Sequence, residues 1–260
     1  MARSKLEAGS VVWITGAGKG IGRALSVELA KRGMKIAASA RTRSDLQSLV
    51  SQSTELAGSI SSWPVDVTER EEMSKTASAI EAELGSIDLL VCNAGTHSPV
   101  TAENFDAEAF NQLLDINIMG VVNGIAPVLP RMTARSSGRI AVVSSVAGYR
   151  GLPSAPSYGA TKAALINMCE ALKPELEHSG VKLHLVCPGF VRTPLTDRNS
   201  FHMPFLMEPE DAARRIADGI QRNKFEITFP WRFVFWLKLG RILPYWAYFA
   251  LTRRLAAAGK

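Results

Sequence analysis

Tyr158 and Lys162 stand four residues apart in the helix-forming run Ser157-Tyr158-Gly159-Ala160-Thr161-Lys162. At that spacing a phenol and an ammonium share one helix face. A free tyrosine titrates near about pH 10. A neighbouring cation favours its phenolate, so the pair could exchange a proton with a substrate oxygen closer to neutrality. Chance places the same pair on many exposed helix faces, so its company decides. That company begins at Thr15-Gly16-Ala17-Gly18-Lys19-Gly20-Ile21-Gly22. Glycines let a backbone turn tightly and approach a pyrophosphate, whose charge a following helix N-terminus favours. The spacing departs from GxGxxG, because Ile21 stands where its last glycine falls. A flexible turn is the plainer alternative, and the strand–turn–helix context favours the nucleotide. Beyond the next apolar run, Ala40 is followed by Arg41, with Lys19 in the glycine turn and Arg43 nearby. A carboxylate there would bond the ribose 2′-hydroxyl of NAD. Cations without an acid favour NADP(H), with NAD(H) as the alternative and a solvated loop charge as the bland reading of Arg41.

Positioning these groups requires strands that end beside them. Apolar runs predict strands over Val11–Thr15, Lys35–Ala40, Ser62–Val65, Asp88–Cys92, Arg139–Ser144, Lys182–Cys187 and Glu226–Phe229. Between them, a helix after the glycine turn presents Ile21, Ala24, Leu25 and Leu29 on one face. Further helices are predicted over Asp45–Glu55, Glu69–Leu84, Asp106–Leu129 with a bend at Pro127, Tyr158–Glu177 and Pro209–Arg222. The alternation predicts an α/β fold, a single doubly wound domain whose parallel sheet of about seven strands carries helices on both faces. Loops at 148–156 and 188–206 fall at strand ends, where such sheets bind ligands.

With those elements in place, the chain resembles a standard-length member of the short-chain dehydrogenase/reductase family over about residues 9–230. Gly16 to Gly22 matches its TGxxxGxG turn, and Asn93-Ala94-Gly95 its NAG motif. Asp66-Val67 resembles its adenine-pocket acid and backbone contact. Asn117, Ser145, Tyr158 and Lys162 fall where its catalytic tetrad falls. Pro188-Gly189, Val191 and Thr193 match its segment near the nicotinamide. The resemblance implies a Rossmann fold and an NADP(H)-dependent oxidoreductase interconverting a ketone and a secondary alcohol. It also implies a homodimer or homotetramer built through the helices carrying Asn117 and Tyr158. Tyr158 would be the general acid in reduction and the base in oxidation. Lys162 would lower its pKa and hold the nicotinamide ribose, Ser145 would bond the substrate oxygen, and Asn117 would hold a water relaying protons from Lys162. Ser144 is assigned a structural role at the strand end. Two rivals keep the fold without turnover: a nucleotide-sensing protein and a membrane-surface scaffold.

Of the 260 residues 47% are hydrophobic and the net charge is +6. Residues 225–260 hold six cations (Arg232, Lys238, Arg241, Arg253, Arg254 and Lys260) against one acid, Glu226, so the remainder is nearly neutral. No basic patch with zinc-ligand or RNA-binding spacing is visible, so no nucleic-acid partner is expected. Cys92, Cys169 and Cys187 are odd in number and lack a CxxC. They predict buried thiols in a reducing cytosol, with no disulfide and no metal site. Met1 to Glu7 lacks the apolar core of a signal peptide, so a cytoplasmic location is expected, extending to the inner face of a membrane.

Residues 1–230 form the predicted nucleotide-binding and catalytic domain, and 231–260 an aromatic and basic extension. Phe225–Lys260 carries ten of the nineteen Phe, Trp and Tyr residues. Its uncharged stretch Ile242 to Leu251 is ten residues and contains a proline, against the ~20 apolar residues a spanning helix needs. Aromatics mixed with Arg and Lys over 231–254 fit a segment lying in a bilayer interface. Packing against another subunit or the core, and closure over the substrate cleft, are the alternatives. Phe201, Met203, Phe205, Leu206 and Met207 add an apolar stretch beside the expected substrate loop. The two together suggest an apolar, lipid-like carbonyl substrate.

Overall fold

An apolar run covered on both faces forms a parallel strand with no solvent side, and Val11–Thr15 (β1) is buried along its whole length. The computed structural model describes residues 6–98, 100–198 and 203–258. After β1 come Gly20–Lys31 (α1), Lys35–Ser39 (β2), Arg43–Ser51 (α2), Ser59–Ser62 (β3), Arg70–Leu84 (α3) and Ile87–Cys92 (β4). Then follow Ala107–Leu114 (α4), Gly120–Ala134 (α5), Gly138–Val143 (β5), Pro156–Leu176 (α6) and Val181–Pro188 (β6). Pro209–Gln221 (α7), Glu226–Phe229 (β7), Trp231–Ile242 (α8) and Tyr245–Ala258 (α9) complete the chain.

The sheet order is β3-β2-β1-β4-β5-β6-β7, and every pairing is parallel. Ile14 pairs with Ala38 on one side and Val91 on the other. Strand order therefore reverses between β1 and β4, which opens a crevice at their carboxyl ends. Alternate residues feed two cores. Trp13, Leu90 and Cys92 join Val128 and Cys169 on one face. Ile14, Leu89 and Val91 join Leu25 and Ile216 on the other. The three cysteines are buried and unpaired.

Three predicted elements shift. β3 lies at Ser59–Ser62 instead of Ser62–Val65, in register with Lys35 to Ala38. Pro64, which has no N–H to donate, lies in the stretch the prediction had assigned to the strand. α2 stops at Ser51 instead of Glu55, where the Ser53 hydroxyl bonds the Val50 carbonyl at 2.7 Å and competes with the helix ladder. The long helix starts at Ala107, with the Asp106 carboxylate capping the Glu108 and Ala109 N–H groups, and continues to Ala134. The α-helix runs through Pro127 and Pro130, and its pattern changes instead at a π-helical turn, Asp115–Met119, in which the Gly120 N–H bonds the Asp115 carbonyl. Among the described residues, Ala107–Ala134 is the helix long and apolar enough by composition to cross a membrane. Here Leu113, Val121, Val128 and Met132 are buried inside the protein instead.

Candidate active site

The glycine turn is held by its neighbours more than by its own sequence. Gly16 has φ +66°, and a Cβ there would lie 2.7 Å from the Ala94 Cα. One at Gly22 would lie 2.3 Å from the Gly16 oxygen and 2.4 Å from the Asn93 Nδ2. That Nδ2 donates to the Thr15 and Gly16 carbonyls, each at 3.1 Å. In return the Thr15 hydroxyl oxygen accepts from the Asn93 and Ala94 N–H groups at 3.1 and 3.2 Å. Asn93-Ala94-Gly95 thus braces the turn from β4. No side chain caps the start of α1, leaving first-turn N–H groups for an anion.

A cleft of ≈ 410 Å³ runs from this turn across the carboxyl ends of the strands. Gly16, Gly18, Lys19, Gly20, Ile21, Arg41, Asp66, Val67, Asn93, Ala94 and Gly95 line one part of it. Ser145, Tyr158, Lys162, Pro188, Gly189, Val191 and Thr193 line the other. Of the sequence-predicted site residues, Thr15, Gly22 and Asn117 stand behind its wall. At the nucleotide end, cations without an acid is not what the structure presents. Lys19 is 3.4 Å from Asp45 and Arg41 3.9 Å from Asp66, and both acids line the cleft. The two cations remain largely exposed, and the Asp66 carboxylate is also fixed by the Thr68 N–H and hydroxyl at 3.0 and 2.9 Å.

At the other end, the π turn aims Asn117 inward, and its side chain is fully buried. Its Oδ1 accepts from the Thr96 N–H at 2.8 Å. Its Nδ2 donates to the Thr96 carbonyl and the Thr161 hydroxyl, each at 3.0 Å. Both amide protons are therefore engaged, and Asn117 ties the loop after β4 to α6. Ser144 donates to the Lys162 carbonyl at 2.7 Å, the structural role its strand-end position suggested. The Ser145 hydroxyl oxygen accepts from the Ala147 N–H at 3.1 Å, and the hydroxyl pulls the Tyr158 phenol toward ionisation. The buried Lys162 ammonium donates to the Val143 carbonyl at 3.0 Å and lies 5.6 Å from the Tyr158 ring centre. Burial depresses its pKa to about 8.

Burial pushes the Tyr158 phenol above its usual value, against the pull of the Ser145 hydroxyl. The lysine was expected to lower the phenol's pKa, but here desolvation outweighs any help from the cation. The reason is distance and solvation: Lys162 spends its charge on the Val143 carbonyl, and both groups are removed from water.

The same end is apolar beyond Tyr158. Phe233 of α8 packs on Phe190 and Phe205 with ring centres 5.6 and 6.3 Å apart. A Cβ on Gly189 would come within 3.1 Å of the Phe233 ring. Phe201 lies outside the described residues, as does Lys260 of the tail. Met207 joins Val191 in a short parallel bridge, which ties the loop of 203–207 to the cleft wall.

The family model for short chain dehydrogenase matches residues 10–203, which contain the glycine turn, the bracing Asn93-Ala94-Gly95 segment, Asn117, Ser145, Tyr158 and Lys162. The chain belongs to the short-chain dehydrogenase/reductase family. It is 36% identical over 242 residues to an uncharacterized oxidoreductase of Myxococcus xanthus, covering 93% of this chain and 96% of that one. To the 17-beta-hydroxysteroid dehydrogenase 13 of Rattus norvegicus it is 33% identical over 231 residues, 88% of this chain and 77% of the relative. Its fold matches a Burkholderia phymatum short chain dehydrogenase/reductase in complex with NAD at TM-score 0.82 and 25% identity, covering 89% and 92% of the two chains. A Sphingobium yanoikuyae short-chain dehydrogenase in complex with NADPH matches at TM-score 0.79 and 26% identity, covering 88% and 92%. These similarities support a general dehydrogenase or reductase role.

A dinucleotide fits what this short-chain dehydrogenase/reductase presents: a glycine cradle that any Cβ would fill, an uncapped helix start, and a cleft running from there to Tyr158. Two residues of the site escaped the sequence reading. Arg23 donates to the Gly18 and Asp45 carbonyls at 3.3 and 3.0 Å, tying the glycine turn to α2. A charge on an amphipathic helix gives no signal of such a role. His97 sets its ring edge-to-face on Tyr158, with centres 5.0 Å apart. Its place just past Asn93-Ala94-Gly95 was the available clue.

Proposed function

We propose that this chain is an NADP(H)-dependent reductase/dehydrogenase interconverting a ketone and a secondary alcohol, with an apolar, lipid-like substrate. The observation that carries the reaction class is the convergence of the Tyr158 phenol, the Ser145 hydroxyl and the buried Lys162 ammonium at one end of the glycine-cradled cleft. When bound, the nicotinamide supplies a hydride to the carbonyl carbon or takes it back. Negative charge then develops on the carbonyl oxygen, and Ser145 is placed to donate a hydrogen bond to it while Tyr158 gives up its proton. Lys162 holds positive charge beneath the phenol, and Asn117 holds the Thr96 loop and Thr161 in register.

Arg41 and Lys19 favour the 2′-phosphate of NADP because both are largely exposed cations beside the end of β2. Their contacts with Asp66 and Asp45 are long and rearrangeable. The apolar substrate is supported by the Phe190, Phe205 and Phe233 cluster beside Gly189, and by the hydroxysteroid named for the Rattus norvegicus relative. Loss of NADPH absorbance over a panel of carbonyls, run with the parent and Tyr158→Phe, tests the reading. The variant should keep NADPH binding and lose about 100- to 10,000-fold in turnover. Equal rates for the two proteins would overturn it.

A further inference from the structure

The carboxyl-terminal helices are apolar on two opposite faces, and only one is used by the fold. In α8, Val234 is buried and Phe233 and Leu237 pack on the core. On the opposite side Trp231, Phe235, Leu239 and Ile242 recur at helical spacing, with exposures of 71, 57, 41 and 77%. A helix face of this kind in water needs something to cover it. Successive residues turn by about 100° around a helix, which puts Arg232 on one flank of this stripe and Lys238 on the other. α9 continues the surface with exposed Tyr245, Trp246 and Phe249.

The hairpin is also fixed in orientation. Arg150 donates to the Gly240 and Leu243 carbonyls at 2.6 and 2.7 Å and lies over the Tyr248 ring at 3.9 Å. The Tyr248 hydroxyl in turn bonds the Gly151 carbonyl at 2.6 Å. Arg150 and Gly151 belong to the loop joining Ser145 to Tyr158, so the exposed stripe is held rigidly relative to the catalytic groups.

We propose that α8 and α9 dock this protein on an anionic lipid surface, with the Trp231–Ile242 stripe turned into the bilayer. Substrate dissolved there would enter past Phe205 and Phe233; that entry route rests on the apolar-substrate reading, whereas the docking does not. Charge selects lipid over a second copy. Residues 225–260 carry six cations and one acid, and that acid, Glu226, already bonds Lys238 and Tyr149. Among the described residues, Arg232 and Arg253 make no ion pair. A two-fold self-contact brings each patch against its own copy, so these cations would converge on like charge. Anionic headgroups complement them. Trp and Tyr rings with arginine at their edges are the composition of a segment lying at the headgroup level. With 12 and 14 residues, α8 and α9 are too short to cross.

Co-sedimentation of the full chain with vesicles of pure phosphatidylcholine, and of phosphatidylcholine with phosphatidylglycerol, tests the docking. Two unpaired cations predict about 25-fold stronger binding to the anionic vesicles, and Arg232→Gln should remove about fivefold of it. The combined variant Trp231→Ser, Phe235→Ser, Ile242→Ser should no longer pellet, with NADPH affinity and unfolding temperature matching the parent. No binding to anionic vesicles, or undiminished binding by the triple variant, overturns the proposal. So does a parent oligomer that the triple variant dissociates while neither protein binds vesicles. A chain that binds vesicles yet reduces no apolar carbonyl keeps the docking and loses the substrate reading.

Discussion

Replacing Lys162 with methionine should abolish turnover and yet flatten a pH-dependent weakness of the fold. Lys162 is 4% exposed, its ammonium donates to the Val143 carbonyl at 3.0 Å, and burial lowers its pKa from 10.5 to about 8. In the unfolded chain the same group keeps its proton up to the ordinary lysine value. That gap corresponds to on the order of 3 kcal/mol against the charged folded state. The sign follows from proton counting. Below about pH 8 both states are protonated and the folded state carries the whole penalty. From there to 10.5 the unfolded chain binds more protons than the folded one, so stability rises with pH. Methionine has no charge to desolvate. The variant's stability relative to the parent should therefore be greatest below pH 8 and decline by about 3 kcal/mol across the window. Leaving the Val143 carbonyl without its donor costs about 1–3 kcal/mol, which lowers the variant at every pH without creating the slope. Urea unfolding of both proteins between neutral and pH 10 reads the difference, in which the other titrating groups cancel. A difference that stays constant with pH would refute burial as the force on Lys162.

Gly16→Ala puts a Cβ 2.7 Å from the Ala94 Cα at φ +66°. It should destabilise the fold by about 1–3 kcal/mol and remove the fluorescence enhancement of bound NADPH; parent-like affinity would argue against the cradle. Arg41→Asp should weaken NADPH binding by about 10- to 100-fold, the worth of a charge-assisted hydrogen bond, while NADH changes far less by calorimetry. Equal losses for both would assign Arg41 no role at the 2′ position. Asn117→Ala leaves the Thr96 N–H and carbonyl without partners and should cost about 1–3 kcal/mol in stability. Its kcat should fall with KM nearly unchanged, and a parent-like kcat would remove Asn117 from the site.

The sheet was legible because six of its seven strands are apolar runs placed where the chain's alternation demanded them. β3, written Ser59-Ile60-Ser61-Ser62, has a single buried apolar residue and was displaced toward the more apolar Trp63 and Val65. The helix bearing Asn117 was expected to bend at a proline. A π turn adds one residue to a helical turn, and Asp115 to Met119 carries no residue type that announces it. That Tyr158 and Lys162 face one cleft was legible from spacing, since residues four apart share a helix face whatever surrounds them. Arg23 and His97 were not, because their roles depend on which loops come together at the cleft. The tail was legible in composition and not in conformation. Nothing in an aromatic, basic run says that Arg150 would cap α8 and stack on Tyr248.

The largest departure from expectation is electrostatic, and it bears on the direction of proton transfer. From spacing alone, Lys162 should pull the phenol toward ionisation. In the folded chain the cation is held by the Val143 carbonyl and the phenol is desolvated, so burial holds Tyr158 above the usual tyrosine value. A phenol in that state keeps its proton at neutral pH, which is the form a donor to a developing alkoxide requires. Oxidation of an alcohol needs the proton removed first, against the same burial. The Ser145 hydroxyl works toward ionisation of the phenol without overcoming that burial. Under the proposed reaction, oxidation should therefore gain more from alkali than reduction does.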